Sequence, residues 1–224
     1  MTVNLQKNLN DIHKRIEQAA LKGGRSTKDV NLICVSKTID AKIINEAKKL
    51  GECVFGENRP QEMRDKYPLV EGARWHLIGH LQTNKVKYVV GKAELIHSVD
   101  SLHLANAIND EAKKLDIVQD ILLEVNISGE ESKYGLTTAQ IPTIIKEIGE
   151  LSNIRFRGFM TMAPLGAPEE EIRAIFRKAK ELFDTYRECG ADILSMGMSG
   201  DFEIAVEEGA THIRVGSAIF KREA

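Results

Sequence analysis

The chain has 224 residues, with 31 Lys and Arg against 33 Asp and Glu, so its formal net charge is −2. A hydrophobic content of 42% and a charged content of 29% are typical of a globular protein and exclude a disordered chain. The near-neutral charge argues against nucleic acid or an anionic membrane as a partner, because both select a basic excess. The longest apolar run is Leu32–Val35, which is far too short to cross a bilayer, and the N-terminus lacks an apolar signal-peptide core.

Short apolar runs alternate with amphipathic helical stretches along the chain. A helix is predicted from Val3 to about Leu21, where apolar residues recur at steps of three and four, and Gly23 and Gly24 end it. Asn31–Lys37 is a continuous apolar run of strand length, followed by a helix that ends at Gly51. Seven further strands are predicted at 52–57, 74–79, 94–100, 120–128, 157–163, 192–199 and 211–217. Helices are predicted between them at about 59–67, 82–91, 101–115, 138–150, 169–189 and 200–208.

Eight apolar strands joined by helical crossovers predict a parallel sheet covered by helices. Eight such units indicate a closed (β/α)8 TIM barrel with an extra N-terminal helix, close to the lower size limit for that fold. An open doubly wound sheet is the alternative, but it has fewer strands, and no GxGxxG follows the first strand. No linker or change of composition divides the chain, so we expect a single domain over 1–224.

In such a barrel, functional residues lie at the C-terminal ends of the strands. Lys37 follows the most apolar run in the chain. Beside apolar walls the pKa of an amine falls, and the amine then becomes a nucleophile toward carbonyl groups. The alternative is a lysine that simply extends into water.

Small residues follow the last two strands, where barrels of this type often bind phosphate. Ser199, Gly200 and Asp201 precede a helix, while Gly216 and Ser217 follow the eighth strand. Free backbone N–H groups there would suit an anion, and Gly216 would allow a close backbone approach. A helix-capping serine and a turn glycine are the alternative explanation. Together with a lysine at a strand end, these residues indicate a phosphorylated carbonyl ligand.

Other polar residues leave more than one interpretation. Arg214 interrupts an apolar strand, and it either pairs with a carboxylate outside the barrel or points to the barrel mouth and donates to a ligand. His76 and His80 are four residues apart, but they lie in a strand-like segment without HExxH, so we expect no metal site. The three cysteines have no CxxC spacing, which suits a reducing cytoplasm, and we expect all three to be buried.

Motifs along the whole chain resemble those of one known family. They are VSKT (35–38), FGENRPQE (55–62), WHLIGHLQTNK (75–85), HSVDS (97–101), EVNISGEESKYG (124–135), GFMTMAP (158–164) and LSMGMSGDFEIAVEEGATHIRVGSAIF (194–220). Their combination resembles the YggS/PROSC family of pyridoxal phosphate (PLP) homeostasis proteins. This resemblance implies one barrel like the N-terminal domain of alanine racemase, the fold type III class of PLP proteins.

The resemblance also implies roles for individual residues. Lys37 would form a Schiff base with the cofactor, Arg214 would approach the pyridine nitrogen, and Asn58 would lie near the ring. The phosphate would be bound by Ser199, Gly200, Gly216 and Ser217. Arg59-Pro60 and His80 depart from the residues of many relatives, which affects the expected shape of the barrel mouth.

Three functions follow as hypotheses. The first is reversible storage of PLP, with delivery to apoenzymes, by a monomeric cytoplasmic protein that is not an enzyme. It is favoured because an arginine leaves the pyridine nitrogen unprotonated, which weakens the electron sink, and because the sequence ends at Ala224 with no second domain to supply another base. The second is an amino-acid racemase with an open site, and the third is a barrel enzyme acting on a phosphorylated metabolite through Lys37.

Overall fold

The computed structural model describes residues 3–130 and 134–221. Residues 131–133 of the EVNISGEESKYG motif therefore lie outside the described residues. Eight parallel strands within the described ranges form a closed barrel, each strand pairing with its neighbour in sequence and the eighth with the first. The strands are β1 (Asn31–Val35), β2 (Val54–Glu57), β3 (Arg74–Leu77), β4 (Ala93–Val99), β5 (Gln119–Glu124), β6 (Ile154–Met160), β7 (Ile193–Met198) and β8 (His212–Val215). The predicted (β/α)8 barrel is confirmed.

Helices cover the outside of the barrel, and the predicted N-terminal helix is present. They are α1 (Leu5–Lys22), α2 (Ala41–Lys49), α3 (Pro60–Lys66), α4 (Leu102–Lys114), α5 (Ile141–Gly149), α6 (Glu169–Thr185), α7 (Phe202–Glu207) and α8 (Ser217–Phe220). The buried Asn8 of α1 donates its side-chain amide to the carbonyl group of Ile219 at 2.8 Å, which attaches this helix beside the end of the barrel. Among the described helices, none is both long and apolar enough to cross a membrane.

One crossover differs from the sequence prediction. The segment between β3 and β4 contains a 3-10 helix, Thr83–Tyr88, where the pattern predicts a longer helix over 82–91. Three β-branched valines, Val86, Val89 and Val90, are buried there, and crowding at the Cβ atom disfavours an α-helical turn at such residues. The predicted helical stretch is therefore present at this crossover, as a 3-10 helix that is shorter than the range 82–91.

The cysteines also differ from expectation. Cys34 in β1 is buried, whereas Cys53 and Cys189 are exposed, so the prediction that all three are buried holds for one alone. Cys53 directly precedes β2, and Cys189 ends a 3-10 turn after α6, so both lie where the chain enters or leaves a regular element. Their apolar character does not fix them in the core, because the element boundaries lie at the surface.

The barrel interior has an apolar side and a polar side. Leu95, Leu122, Met160 and Ile193 form an apolar cluster separate from the larger core that joins the strands to the helices. Side chains alternate between the two faces of each strand, so His97, two residues beyond Leu95, and Ser195, two beyond Ile193, share the interior with this cluster. They are completely buried. The interior is therefore packed, and part of it is built from polar groups.

A glycine in β6 is required by close packing of two strands. Gly158 has φ +132°, and a Cβ atom at this position would lie 2.0 Å from the carbonyl oxygen of Ile193 in β7. We expect Gly158→Ala to lower the free energy of unfolding by about 3 kcal/mol or more, because both the backbone conformation and the strand contact resist the methyl group. Gly24→Ala is the matched control, since Gly24 also has a positive φ but open space around it. Urea unfolding of both variants measures the difference, and equal losses would contradict the packing argument.

Candidate cofactor site

The segment that follows β1 carries the lysine singled out from the sequence. Ser36 is completely buried, Lys37 is exposed, and Thr38 has φ +62°, a left-handed conformation that a β-branched residue rarely adopts. The expected apolar walls do not enclose Lys37, because the chain turns out of the barrel directly after Ser36. Lys37 therefore lies at the C-terminal face, as predicted, but in an open position.

A buried ion pair holds the backbone before Lys37. Lys66 of α3 donates to the carbonyl oxygen of Ser36 and to Oε1 of Glu57, both at 2.8 Å. The Ser36 hydroxyl donates to the same Glu57 oxygen at 2.7 Å. Burial raises the pKa of Glu57, while the hydrogen bonds from Lys66 and Ser36 oppose that rise. Lys66 was not predicted as a site residue, because nothing in its helical segment indicates that its side chain reaches the end of β1.

The backbone after Lys37 is held from the same helix. Glu62 of α3 accepts a hydrogen bond from the backbone N–H of Thr38 at 2.8 Å, and Lys66 lies 3.2 Å from the same carboxylate oxygen. Both sides of Lys37 are thus fixed, while the lysine side chain extends from the surface. This arrangement presents one exposed amine on a turn whose backbone is hydrogen-bonded on both sides of Lys37.

The two predicted phosphate segments meet each other at this end of the barrel. Gly216 donates its backbone N–H to the Ser199 hydroxyl at 3.2 Å, which joins the end of β8 to the end of β7. A Cβ atom on Gly216 would lie 3.0 Å from both the Cβ atom and the carbonyl oxygen of Val35 in β1, whereas a Cβ atom on Gly200 would meet open space. Ser217 begins α8. These segments therefore adjoin the strand that leads to Lys37.

The alternative explanation of Ser199 as a helix cap is wrong. The residue that precedes α7 is Asp201, and Ser199 lies two residues earlier. Asp201 accepts a hydrogen bond from the backbone N–H of Met198 at 2.5 Å, and burial raises the pKa of its carboxyl group. The Asp201 carboxyl group thus closes the turn, and the hydroxyl of Ser199 is turned toward β8.

Arg214 lies inside the barrel. It is 3% exposed and donates to the Ser195 hydroxyl at 2.6 Å and to the carbonyl oxygen of Thr161 at 3.0 Å. The alternative of an outward-facing arginine paired with a helix carboxylate is therefore wrong. Burial lowers the pKa of Arg214 to about 10, so the guanidinium group still carries its charge at neutral pH.

Two histidines extend the polar network of Arg214. Nδ1 of His97 lies 3.0 Å from the Ser195 hydroxyl, and Nε2 of His97 lies 3.0 Å from Nδ1 of His76. Burial lowers the pKa of His97 well below its usual value and that of His76 to about 3, so both rings are neutral at pH 7. The connection between these residues was not predicted from the sequence. A polar residue at an inward position of an apolar strand, as in ELIHSV (94–99), was the available signal.

Asn58 lies between β2 and α3. It is half-buried, and its buried side-chain oxygen has no hydrogen-bond partner among the described residues. Gly79 packs against it so closely that a Cβ atom on Gly79 would lie 2.3 Å from the Asn58 carbonyl oxygen. A buried amide oxygen without a partner is costly in a folded protein, which marks Asn58 as a position suited to an additional hydrogen-bond donor.

His80 belongs to the barrel mouth. Its ring stacks on Tyr134 at 4.2 Å between centroids, and Nδ1 lies 3.3 Å from the carboxylate of Asp100. His76, in contrast, is buried in the interior. Within residues 3–130 and 134–221, no cluster of three His, Cys, Asp or Glu residues has the arrangement to hold a metal ion.

Glu124 at the end of β5 has an unusual carboxyl group. It is 4% exposed, and burial together with the nearby Asp100 carboxylate raises its pKa to about 7, although Arg214 opposes this rise. The folded state therefore binds a proton that the unfolded chain releases near pH 4.5, so the contribution of Glu124 to stability falls as the pH rises from 4.5 to 7.

We expect Glu124→Gln to remove this pH dependence. Between pH 4.5 and pH 8, the unfolding free energy of the unmodified protein should fall relative to that of the variant by about 3 kcal/mol. Urea unfolding at several pH values measures this difference. Because the buried histidines have lowered pKa values and act in the opposite direction, only the difference between the two proteins tests the prediction. A difference that does not change with pH would contradict it.

The fold and this arrangement of residues define a class of protein. The family described as alanine racemase, N-terminal domain, matches residues 5–223. The alanine racemase of Clostridium difficile, solved with cycloserine, has a TM-score of 0.79 and 18% identity, over 98% of this chain and 60% of that chain. That likeness shows the shared barrel fold.

More similar relatives define the family. The pyridoxal phosphate homeostasis protein of Aquifex aeolicus is 43% identical over 223 residues, which cover 97% of this chain and 98% of that protein. The structure of PipY of Synechococcus elongatus with PLP bound has a TM-score of 0.84 and 33% identity, over 97% of this chain and 100% of that chain. The chain belongs to the pyridoxal phosphate homeostasis protein family.

Proposed function

We propose that this chain acts as a single PLP-binding barrel domain over 1–224 and contributes to intracellular vitamin B6 homeostasis by storing the cofactor and delivering it to apoenzymes. The observation that carries the proposal is the convergence of an exposed lysine, two small-residue segments and a buried arginine at the C-terminal end of one barrel. The relative PipY, solved with PLP bound, supports the identity of the ligand.

The described residues fit the three chemical parts of PLP. Lys37 offers an amine for the aldehyde on a turn fixed at both sides. Ser199, Gly200, Gly216 and Ser217 offer small side chains for the phosphate, and Gly200 and Ser217 offer backbone N–H groups as well. Arg214 offers a buried guanidinium group that can only donate, toward a pyridine nitrogen that can accept. Asn58 offers a buried oxygen without a partner.

PLP supplies an electrophilic aldehyde. Lys37 would add to it through its neutral amine, and formation of the Schiff base releases one water molecule, while hydrolysis returns the free lysine. Because Lys37 is exposed, water reaches it easily, which suits reversible binding rather than a closed catalytic site. Lys66, Glu57 and Glu62 would keep the turn in place in both states.

The role of Arg214 favours a carrier over a racemase. A guanidinium group remains protonated at neutral pH and cannot accept a proton, so Arg214 would leave the pyridine nitrogen unprotonated and limit its capacity to stabilise a carbanion. Racemisation also requires acid or base groups on both sides of the substrate. We therefore propose that the chain is not an enzyme, with PLP-dependent racemisation as the competing function.

We also propose that the protein acts as a monomer in the cytoplasm. The large exposed apolar side chains of the described residues belong to several different segments, such as Leu21 in α1, Leu115 after α4 and Leu165 before α6, and scattered exposed apolar residues are typical of a monomer. Three free cysteines, two of them exposed, suit a reducing compartment. Analytical ultracentrifugation tests the first statement, and a dimer would contradict it.

One experiment tests the cofactor assignment. Purified protein is mixed with PLP, reduced with borohydride, digested and mapped by mass spectrometry. We expect a visible absorbance band before reduction and one labelled peptide that contains Lys37. No band, or a label on another lysine, would overturn the assignment. Incubation of the loaded protein with single L-amino acids tests the carrier role, because sustained formation of D-enantiomers would establish racemisation instead.

A further inference from the structure

The opposite end of the barrel contains a separate cavity. Its volume is about 810 Å³, and residues at the N-terminal ends of the strands line it, among them Asn31, Arg74, Glu94, Asp192 and His212. Barrels of this type carry their chemistry at the other end, so nothing in the proposed cofactor site accounts for a polar cavity here.

A buried polar atom lies at the inner wall of this cavity. His76 lines the cavity and is 2% exposed, and its Nε2 atom has no hydrogen-bond partner among the described residues. The other ring nitrogen of His76 is bonded to His97. The two nitrogens of an imidazole are separated by one carbon and point in different directions, and His76 lines the cavity, so we infer that Nε2 faces the cavity rather than His97. Leaving this group unpaired would cost about 1–3 kcal/mol.

The network fixes whether Nε2 donates or accepts. Arg214 can only donate, so the Ser195 oxygen accepts from it and the Ser195 hydroxyl hydrogen is free to donate to Nδ1 of His97. His97 is neutral and then carries its hydrogen on Nε2, which donates to Nδ1 of His76. His76 is neutral as well, so its one hydrogen lies on Nε2. The opposite arrangement would leave the Ser195 hydrogen without an acceptor. The cavity wall therefore presents an N–H donor.

The cavity lining carries six basic and six acidic side chains, so the partners of the acidic ones decide which charges remain available to a ligand. Burial lowers the pKa of both His76 and His212, and Arg74 adds to this effect, while Asp192 and Glu94 oppose it at His212. The two rings stack with 6.1 Å between their centroids. The lining carboxylates are already engaged: Glu94 pairs with Arg74, and Asp192 pairs with Arg157.

The remaining lining acids have partners too. Asp120 pairs with Arg155 and Arg157, Glu207 with Lys22 and Arg173, and Glu208 with Arg173 and Arg177, while Asp29 accepts from the backbone of Ser26. Arg25, also in the lining, donates hydrogen bonds to the carbonyl groups of Val206 and Ala210 rather than to a carboxylate. The wall therefore holds a free donor and an arginine without a carboxylate hydrogen bond.

We propose that this end of the barrel binds a small oxyanion, a phosphate or a carboxylate, which accepts a hydrogen bond from Nε2 of His76. The proposal does not depend on PLP. An anion of this kind would supply the acceptor that the orphan N–H lacks, and Arg74 and Arg25 would contribute positive potential. The oxyanion would be separated from the Lys37 end by the length of the barrel interior.

Histidine-selective NMR on the full chain tests the proposal. The protein is titrated with inorganic phosphate in one series and with acetate in another, and sodium chloride at the same ionic strength is the control. We expect the chemical shift of His76 Nε2 to be that of a protonated ring nitrogen. We also expect this resonance to shift in a saturable manner in the phosphate series, the acetate series or both. The series that produces the shift distinguishes a phosphate from a carboxylate ligand. The exposed His103 on α4 should not respond.

Substitutions in the cavity, together with the backbone amide resonances of Gly200 and Gly216, decide at which end of the barrel the anion binds. His76→Phe should weaken anion binding about tenfold or more, as measured by calorimetry. Arg74→Gln, outside the interior, should weaken it severalfold and keeps the test valid if the first variant fails to fold. Arg64→Gln is the matched control, because Arg64 is an exposed arginine of α3 that pairs with Asp65, and neither residue lines the cavity. An unprotonated Nε2, or shifts confined to the amides of Gly200 and Gly216, would overturn the proposal. The latter result would still support anion binding at the cofactor end.

Discussion

Lys37→Ala is expected to abolish covalent retention of PLP completely. The proposed Schiff base has no other amine on the turn between β1 and α2 that is fixed by Glu62 and Lys66. Borohydride reduction followed by mass spectrometry of the intact protein measures the loss, with no PLP mass added to the variant. Because Lys37 is exposed, the unfolding free energy should change by only about 0.5 kcal/mol. Loss of labelling without loss of stability would thus identify a binding residue.

Lys42→Ala is the matched control for this variant. Lys42 is an exposed lysine in the first turn of α2, five residues further along the chain. Its removal should leave labelling and stability unchanged. Equal labelling of Lys37→Ala and the unmodified protein would show that another lysine binds the aldehyde, and the proposed function would then need a different site.

Arg214→Ala is expected to reduce both PLP retention and stability. The substitution leaves the Ser195 hydroxyl and the Thr161 carbonyl group without their donor and opens a cavity in the barrel interior. We expect a loss of about 3 kcal/mol in unfolding free energy, with the barrel still folded. Retention should fall as well, since the proposed donor to the pyridine nitrogen is absent. Dialysis of the loaded variant, followed by absorbance, measures the release.

Arg155→Ala is the control that shows whether loss of any arginine, or loss of Arg214 in particular, reduces PLP retention. Arg155 is exposed, and its partner Asp120 keeps a second ion pair with Arg157, so removal of Arg155 should cost less than about 1 kcal/mol and leave PLP retention unchanged. Unchanged retention in Arg214→Ala would contradict the role assigned to Arg214, whatever its effect on stability.

Much of the barrel follows from local sequence patterns. Continuous apolar runs such as Leu32–Val35 predict buried parallel strands, and the three-four spacing of α6 predicts its helix, because each pattern reports the face that an element buries. At the crossover 82–91 the sequence predicts a helical stretch but neither its type nor its length, because buried valines at helical spacing do not distinguish an α-helix from a shorter 3-10 helix. The prediction that Cys53 and Cys189 are buried is wrong for a related reason, because the apolar character of a residue does not indicate where a helix or strand ends.

The candidate site is predicted in part. The rule that function lies at strand ends selects Lys37, Asn58, Ser199, Gly200, Gly216 and Ser217 from their positions in the chain. It does not reveal Lys66, whose partner Ser36 lies 30 residues away, or His97, whose partner Ser195 lies 98 residues away. These contacts depend on which strands and helices become neighbours when the barrel closes, and a local pattern carries no such information.

The order of the elements, their apolar faces and the position of Lys37 after the first strand follow from the amino-acid sequence, because they depend on residues a few positions apart. The exposure of Lys37, the inward direction of Arg214 and the buried His76 Nε2 atom without a partner among the described residues became clear from the folded chain alone. The physical reason is that burial and hydrogen-bond direction depend on closure of the barrel, which brings β3, β4, β7 and β8 around one interior.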